Sequence, residues 1–171
     1  MNYDYSNKIV ELLENAEKKN KEVIDLLSKK FADCIEEDHI IHTFGTGHSH
    51  MIGIELFARA GELGNINALL DPDTLTGFGA QRSCAMEKTC GVSDVIYDSY
   101  KIKKGDIMII TSNSGRNAMP IEMAMRCKKE GVFVVALTNL AQSQAATSRH
   151  PSGKKLYEFA DVVLDNCVPE G

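Results

Sequence analysis

The sequence predicts an α/β fold in which a parallel β-sheet lies between two layers of helices. Apolar runs without polar alternation, such as 107–111 and 132–137, are typical of strands covered on both faces. Stretches with helical spacing of apolar residues separate these runs, and such alternation of strands and helices is typical of βαβ units. The length of 171 residues fits one domain with a three-layer αβα arrangement.

The first predicted element is helical. Apolar residues recur every three or four positions from residue 4 to about residue 36, which predicts one long helix or two consecutive helices. Such an apolar stripe must be buried, either against the rest of the chain or against a second subunit. We therefore treat residues 1–37 as an N-terminal helical segment for packing or dimerisation, and residues 38–171 as the domain that follows.

The remaining elements follow from the change of period along the chain. The predicted strands are 39–44, 66–70, 107–111, 132–137 and 162–164. The predicted helices between them are 48–61, 82–89, 93–100 and 120–129. A stretch rich in Gly and Thr over 74–80 predicts a loop.

Composition argues against several classes of function. The net charge is −5 with acids and bases interspersed, which predicts no nucleic-acid partner. No apolar run reaches the roughly 18–20 residues that span a bilayer, and the N-terminus does not resemble a secretory signal. The five cysteines are scattered without CxxC spacing, which predicts reduced thiols in a cytoplasmic protein rather than disulfides or a structural zinc site.

Two predicted strands end in loops that are rich in glycine and hydroxyl residues, at 45–50 and 112–117. In an open parallel sheet, ligands bind beyond the carboxyl ends of the strands, where N–H groups at a helix start can hold a phosphate. Helix capping and tight turns explain either loop equally well when it is taken alone. Neither the dinucleotide motif GxGxxG nor the nucleotide-binding motif GxxxxGK[ST] is present, so a nucleotide site is not predicted.

The loops and the segments around them resemble a known family. The stretches that carry the resemblance are FGTGHSHMI, KKGDIMII, ITSNSGRNAMPIEMA and TSRHPSGKKLYEFADVVLDN. They resemble the sugar isomerase (SIS) domain, which includes phosphoheptose isomerase and an uncharacterised bacterial group that these stretches match best. The resemblance implies a five-stranded parallel sheet of flavodoxin-like order, a homodimer and a small phosphorylated sugar as ligand.

The resemblance also implies which residues contact the ligand. The implied phosphate contacts are Ser112, Asn113, Ser114 and Asn117. The implied contacts around the sugar are Gly47, Ser49 and Thr138. Arg116 is a secondary candidate within the phosphate loop, whereas Arg149 lies in a basic stretch that is by default a surface loop.

Aldose–ketose isomerisation needs a base that moves a proton between neighbouring carbons. The candidates are Glu55, Glu87 and His48, and the alternative for each is a solvated surface side chain. Phosphoheptose isomerases use zinc, which raises His48, His50 and Glu55 as ligands. However, Arg59 and Glu55 stand where two of the zinc ligands of those enzymes lie, so we predict no metal or other cofactor, with zinc at this loop as the alternative.

These observations predict a sugar-phosphate isomerase. The alternatives are a non-catalytic module that senses a phosphosugar, and a phosphosugar lyase similar to the etherases of the family. Relatives continue beyond the segment around Asp165 into another long helix, whereas this sequence ends at Gly171. We therefore expect the chain to be short at its C-terminus, which leaves turnover less certain than binding.

Overall fold

A computed structural model describes residues 4–169 of the protein. Five parallel strands form one sheet in the order β2-β1-β3-β4-β5. The strands are β1 (Ile41–Gly45), β2 (Ile66–Leu69), β3 (Ile107–Thr111), β4 (Phe133–Thr138) and β5 (Val162–Asp165). The predicted strands and the flavodoxin-like order are confirmed. The order reverses between β1 and β3, which makes their carboxyl ends the topological switch point of the sheet.

Helices cover both faces of this sheet. They are α1 (Asp4–Glu36), α2 (Met51–Glu55), α3 (Ala80–Met86), α4 (Val92–Ser99), α5 (Ala118–Glu130) and α6 (Leu140–Ala145). Three short 3-10 turns, at Gly47–His50, Thr76–Phe78 and Leu156–Glu158, complete the described part of the chain. None of the helices within residues 4–169 is both long enough and apolar enough to cross a membrane.

The predicted helix 48–61 is wrong in its second half. The helix α2 ends at Glu55, and the backbone then adopts positive φ angles at Ala58 (φ 61) and Gly61 (φ 84). Left-handed backbone cannot continue a right-handed helix. The segment between α2 and β2 is therefore a series of turns.

The core consists of two apolar clusters, one on each face of the central strand β3. Met108 and Ile110 face α4 and α5, whereas Ile107 and Ile109 face α1. All four side chains are at most 9% exposed. Burial of side chains of this size stabilises the fold by about 1.5–3 kcal/mol each, which explains why β3 has no polar alternation.

The C-terminal half of α1 packs on the sheet, and polar contacts fix its position at β5. The Asn20 side chain donates to the Asp165 carbonyl (2.7 Å) and accepts the Asp165 N–H (3.0 Å), while Lys19 pairs with the Asp165 carboxylate (2.7 Å). In contrast, Leu13 and Leu26 are 65% and 52% exposed. The role of α1 in dimerisation stays a prediction.

Candidate functional site

A polar cavity of about 400 Å³ lies at the switch point, beyond the carboxyl ends of β1 and β3. Its volume lies within the range of roughly 300–1,000 Å³ that is typical of small-molecule sites. The residues that line it are Thr46, Ser49, Glu87, Ser112, Asn113, Ser114, Arg116, Asn117, Gln142 and Arg149. Two loops and the end of α3 therefore meet at one place, although their residues are far apart in sequence.

The loop after β3 is held in shape by hydrogen bonds from neighbouring strands and turns. Thr138 Oγ1 donates to the Asn113 carbonyl (3.0 Å), and the Leu156 N–H donates to the Gly115 carbonyl (2.9 Å). Within the loop, Ser112 Oγ accepts the Gly115 N–H (3.2 Å). These bonds fix the loop before any ligand binds, which lowers the entropy that binding costs.

Gly115 is required at the centre of this loop. Its φ angle is +56°, a conformation that side chains with a Cβ disfavour. A Cβ atom there would lie 2.8 Å from Ser143 Oγ and 3.3 Å from Leu156 Cβ. The loop thus turns tightly over the buried Ser143.

The free N–H groups at this place belong to the loop and its junction with α5, whereas the second and third residues of α5 offer none. The Met119 N–H donates to the Glu87 carbonyl (3.1 Å), and Pro120 has no N–H. Within residues 4–169, the N–H groups of Ser114, Arg116 and Asn117 have no hydrogen-bond acceptor. Unpaired N–H groups beside hydroxyls are the donors that phosphate oxygens require.

Two arginines add positive charge to the cavity. Arg149 Nη1 donates to Asn117 Oδ1 (3.0 Å), and the Arg149 N–H donates to the Arg116 carbonyl (2.8 Å). Arg116 Nε is buried without a hydrogen-bond partner in the described part of the chain. Nε is enclosed by protein atoms, so the contribution of Arg116 to the cavity is the positive charge of its guanidinium, which favours an anion there.

The loop after β1 contributes the remaining wall. Gly45 ends the strand, and a Cβ atom there would lie 2.7 Å from the Ser49 carbonyl, so glycine is needed for the chain to turn back this closely. Ser49 is half-buried and lines the cavity. Thr46 Oγ1 donates to Glu87 Oε2 (3.1 Å), which holds the Glu87 carboxylate at the cavity.

The structure brings most of the predicted ligand contacts together, namely Ser49, Ser112, Asn113, Ser114 and Asn117. Two others lie nearby without lining the cavity. Thr138 is fully buried and supports the loop through its bond to Asn113, and Gly47 donates its N–H to the Thr74 carbonyl (2.9 Å). The part that each residue plays in binding stays a prediction.

The three candidate bases differ in their position relative to the cavity. Glu87 lines the cavity, whereas His48 is exposed and outside its lining. Glu55 is also outside it: its side chain is 69% exposed and pairs with Arg59, four residues further along the chain. Position therefore favours Glu87 over the other two.

The zinc ligands raised by the resemblance do not form a ligand set in this structure. The ring of His50 is turned toward the carbonyl of Gly47 through Nδ1. Arg59 donates a hydrogen bond to the Glu55 carboxylate. The Arg59 guanidinium is positively charged and has no lone pair to offer a metal, so it cannot replace a ligand at that position. No step of a mechanism is therefore assigned to a metal at this loop.

Sequence reasoning missed Gln142 and undervalued Arg149. Gln142 Oε1 accepts from Asn113 Nδ2 (2.6 Å), which joins α6 to the phosphate loop. Arg149 was assigned to a surface loop, but its backbone bond to Arg116 carries it back to the cavity. The one available signal was that α6 follows the carboxyl end of β4, the same edge of the sheet.

The fold and the cavity define an α/β domain with a polar cavity at the switch point of its sheet. The sequence profile of the SIS domain matches residues 4–139, and the chain belongs to this family. It is similar to two UPF0309 proteins, being 46% identical over 137 residues to TTE0306 of Caldanaerobacter subterraneus and 37% identical over 168 residues to BH3325 of Halalkalibacterium halodurans. The match to TTE0306 covers 80% of this chain and 56% of the relative. The match to BH3325 covers 98% of this chain and 69% of the relative.

Solved structures agree with this assignment. Phosphoheptose isomerase from Neisseria gonorrhoeae superposes with a TM-score of 0.71 at 21% identity, over 98% of this chain and 84% of that enzyme. A phosphoheptose isomerase from Francisella tularensis superposes with a TM-score of 0.67 at 18% identity, over 98% and 83% of the two chains. At these identities the likeness shows the shared fold.

Proposed function

We propose that the protein binds a phosphorylated sugar at this cavity, with the phosphate in the loop 112–117. The observation that carries this proposal is the combination of unpaired N–H groups, serine hydroxyls and two arginines around one cavity. These groups suit a compact anion with several oxygens. The family membership supports a sugar as the remainder of the ligand.

We further propose that the bound sugar is isomerised between its aldose and ketose forms. Glu87 is the only carboxylate or imidazole that lines the cavity in the described part of the chain. In this role its carboxylate removes the proton from the carbon beside the carbonyl and returns it to the neighbouring carbon. Thr46 orients the carboxylate through its hydroxyl.

Solvent deuterium exchange tests the isomerase. The protein is incubated in D₂O with a panel of aldose and ketose phosphates, and exchange at the carbon beside the carbonyl is followed by NMR. The proposal predicts exchange with at least one compound, its loss in Glu87→Gln, and its retention in Glu55→Gln, which changes an exposed carboxylate. Exchange that survives Glu87→Gln would show that another group is the base.

The second candidate function is a phosphosugar sensor without turnover. It is favoured by the composition of the cavity lining, which within residues 4–169 contains one candidate base and no second carboxylate or imidazole. The sensor predicts a rise in the melting temperature with a sugar phosphate, no deuterium exchange, and unchanged affinity in Glu87→Gln. The two candidates thus differ in the exchange experiment, while both require binding.

A further inference from the structure

Away from the cavity, three side chains with metal-binding atoms converge from separate segments. Cys90 lies in the turn before α4, Glu122 lies in α5, and His150 lies in the loop between α6 and the turn Leu156–Glu158. One ligand atom from each of them lies within 4.8 Å of the other two. We propose that these three residues bind a zinc ion, with water as the fourth ligand.

The distances suit a tetrahedral ion. Zinc lies about 2.3 Å from sulfur and about 2.0–2.2 Å from nitrogen or oxygen, so neighbouring ligand atoms in a tetrahedron are roughly 3.4–3.6 Å apart. His150 Nε2 and Glu122 Oε1 are 3.5 Å apart. Cys90 is exposed, so its side chain has room to change rotamer when a metal binds.

Outer hydrogen bonds hold two of the three ligands in place. The Gly91 N–H donates to Glu122 Oε2 (2.7 Å), which leaves Oε1 on the side of His150. Ser152 Oγ lies 2.7 Å from His150 Nδ1, and in this structure the Ser152 N–H donates to the same nitrogen (3.2 Å). Metal binding through Nε2 would place the ring proton on Nδ1 and replace that bond with one from Nδ1–H to Ser152 Oγ. Metal-binding histidines in proteins nearly always have such a partner.

Burial also supports a metal ion at this place. The side chains of His150 and Glu122 are 10% and 17% exposed. Two cations line the adjoining depression, but in the described part of the chain neither forms an ion pair with Glu122. One of them, Arg126, is engaged with Asp94, Asp98 and Glu130. A sulfur, nitrogen and oxygen donor set selects zinc over magnesium or calcium.

The ion would join the segments that build the phosphate cavity. His150 follows Arg149, and Cys90 lies three residues after Glu87. Glu122 belongs to α5, which begins directly after the phosphate loop. The proposed ion thus cross-links segments next to Arg149 and Glu87, and it is separate from the residues of the first loop. Its existence does not depend on which sugar, if any, the cavity binds.

Metal titration of the purified chain tests the site. After treatment with a chelator, the protein is titrated with Zn²⁺ against a competing indicator, and with Co²⁺ while thiolate-to-cobalt absorption is recorded. The proposal predicts one equivalent of either metal and a charge-transfer band from a single thiolate. It also predicts that Cys90→Ser loses the band and weakens zinc binding by more than about 100-fold, since loss of an outer partner alone costs 10- to 100-fold.

Matched variants separate this site from adventitious binding. Cys84→Ser changes another exposed cysteine and is expected to keep the band and the affinity. Ser152→Ala is expected to weaken zinc about 10-fold through the outer bond to His150. Circular dichroism checks that each variant is folded. The proposal is overturned if Cys90→Ser and Cys84→Ser bind zinc equally, or if Co²⁺ gives no thiolate band. Because no sugar phosphate is present, failure here leaves the proposed function untouched.

Discussion

Replacement of Gly115 by alanine tests whether the phosphate loop depends on close packing over Ser143. The left-handed backbone at φ +56° costs a residue with a Cβ about 1–2 kcal/mol. The contact with Ser143 Oγ, at 2.8 Å, adds the cost of overpacking, about 1–3 kcal/mol. The free energy of unfolding is therefore expected to fall by about 2–5 kcal/mol, as measured by urea denaturation.

Two further variants separate these costs. Gly61→Ala has a positive φ of 84° and open space around the added Cβ, so it reports the backbone cost alone. Gly115→Ala should be less stable than Gly61→Ala by about 1–3 kcal/mol. The additional change Ser143→Ala removes the contacting oxygen and should recover part of that difference. Equal stability of Gly115→Ala and Gly61→Ala would refute the packing argument.

Three further predictions concern charge, pH and assembly. Arg149→Gln should weaken binding of a sugar phosphate about 10- to 100-fold, as measured by calorimetry. Lys154 is an exposed cation of the same loop that lies outside the cavity, so Lys154→Gln should leave the affinity unchanged. Burial lowers the pKa of His42 below 6.5 despite its bond to Asp106. The stability that the neutral ring contributes is therefore present above pH 6.5 and is lost as pH falls toward the lowered pKa. The urea midpoint should drop between pH 7 and 5 in the wild type, and by less in His42→Gln. If α1 pairs with a second copy, Leu13→Glu should shift the protein toward monomer in sedimentation, while an unchanged mass would argue against α1 as the interface.

Asp106 should make the folded state lose further stability at a lower pH than His42 does. Burial alone raises the pKa of its carboxyl, but hydrogen bonds from the N–H groups of Lys103 and Ile40 and from His42 and His39 outweigh it. The pKa is therefore held below the ordinary value of 3.8. A depressed carboxyl pKa stabilises the fold above the ordinary value, and this stability is lost as pH falls through the depressed one. Unfolding should thus become still easier below about pH 4 in the wild type, but not in Asp106→Asn.

The sheet was predictable because its strands are buried on both faces. Residues 107–110 are continuously apolar for this reason, and the observed strand, which ends at Thr111, has the predicted bounds. The predicted length of the helix after β1 was too great, because no pattern in the local sequence indicates the positive φ of Ala58. Helical periodicity reports which face is buried, but the end of a helix depends on the turns that follow it.

The candidate site was predictable where its residues are consecutive. The loop 112–117 directly follows a strand, so its residues share the carboxyl edge of the sheet whatever the later packing is. Arg149 gave no such signal, since a backbone bond to a residue 33 positions earlier brings it to the cavity. Of the donors at the start of α5, the Met119 N–H is taken up by the Glu87 carbonyl, whereas the N–H of the N-cap Asn117 has no acceptor within the described residues. Long-range contacts of this kind have no local pattern.

The most direct test of the central claim is calorimetric titration with a sugar phosphate and with the same sugar lacking its phosphate. The protein is expected to bind one equivalent of the phosphate ester and to bind the free sugar at least about 100-fold more weakly, because the charged hydrogen bonds are lost. Ser114→Ala should weaken the phosphate ester about 10-fold and leave the free sugar unchanged. Equal binding of both sugars, or no effect of Ser114→Ala, would contradict a phosphate site at the loop 112–117.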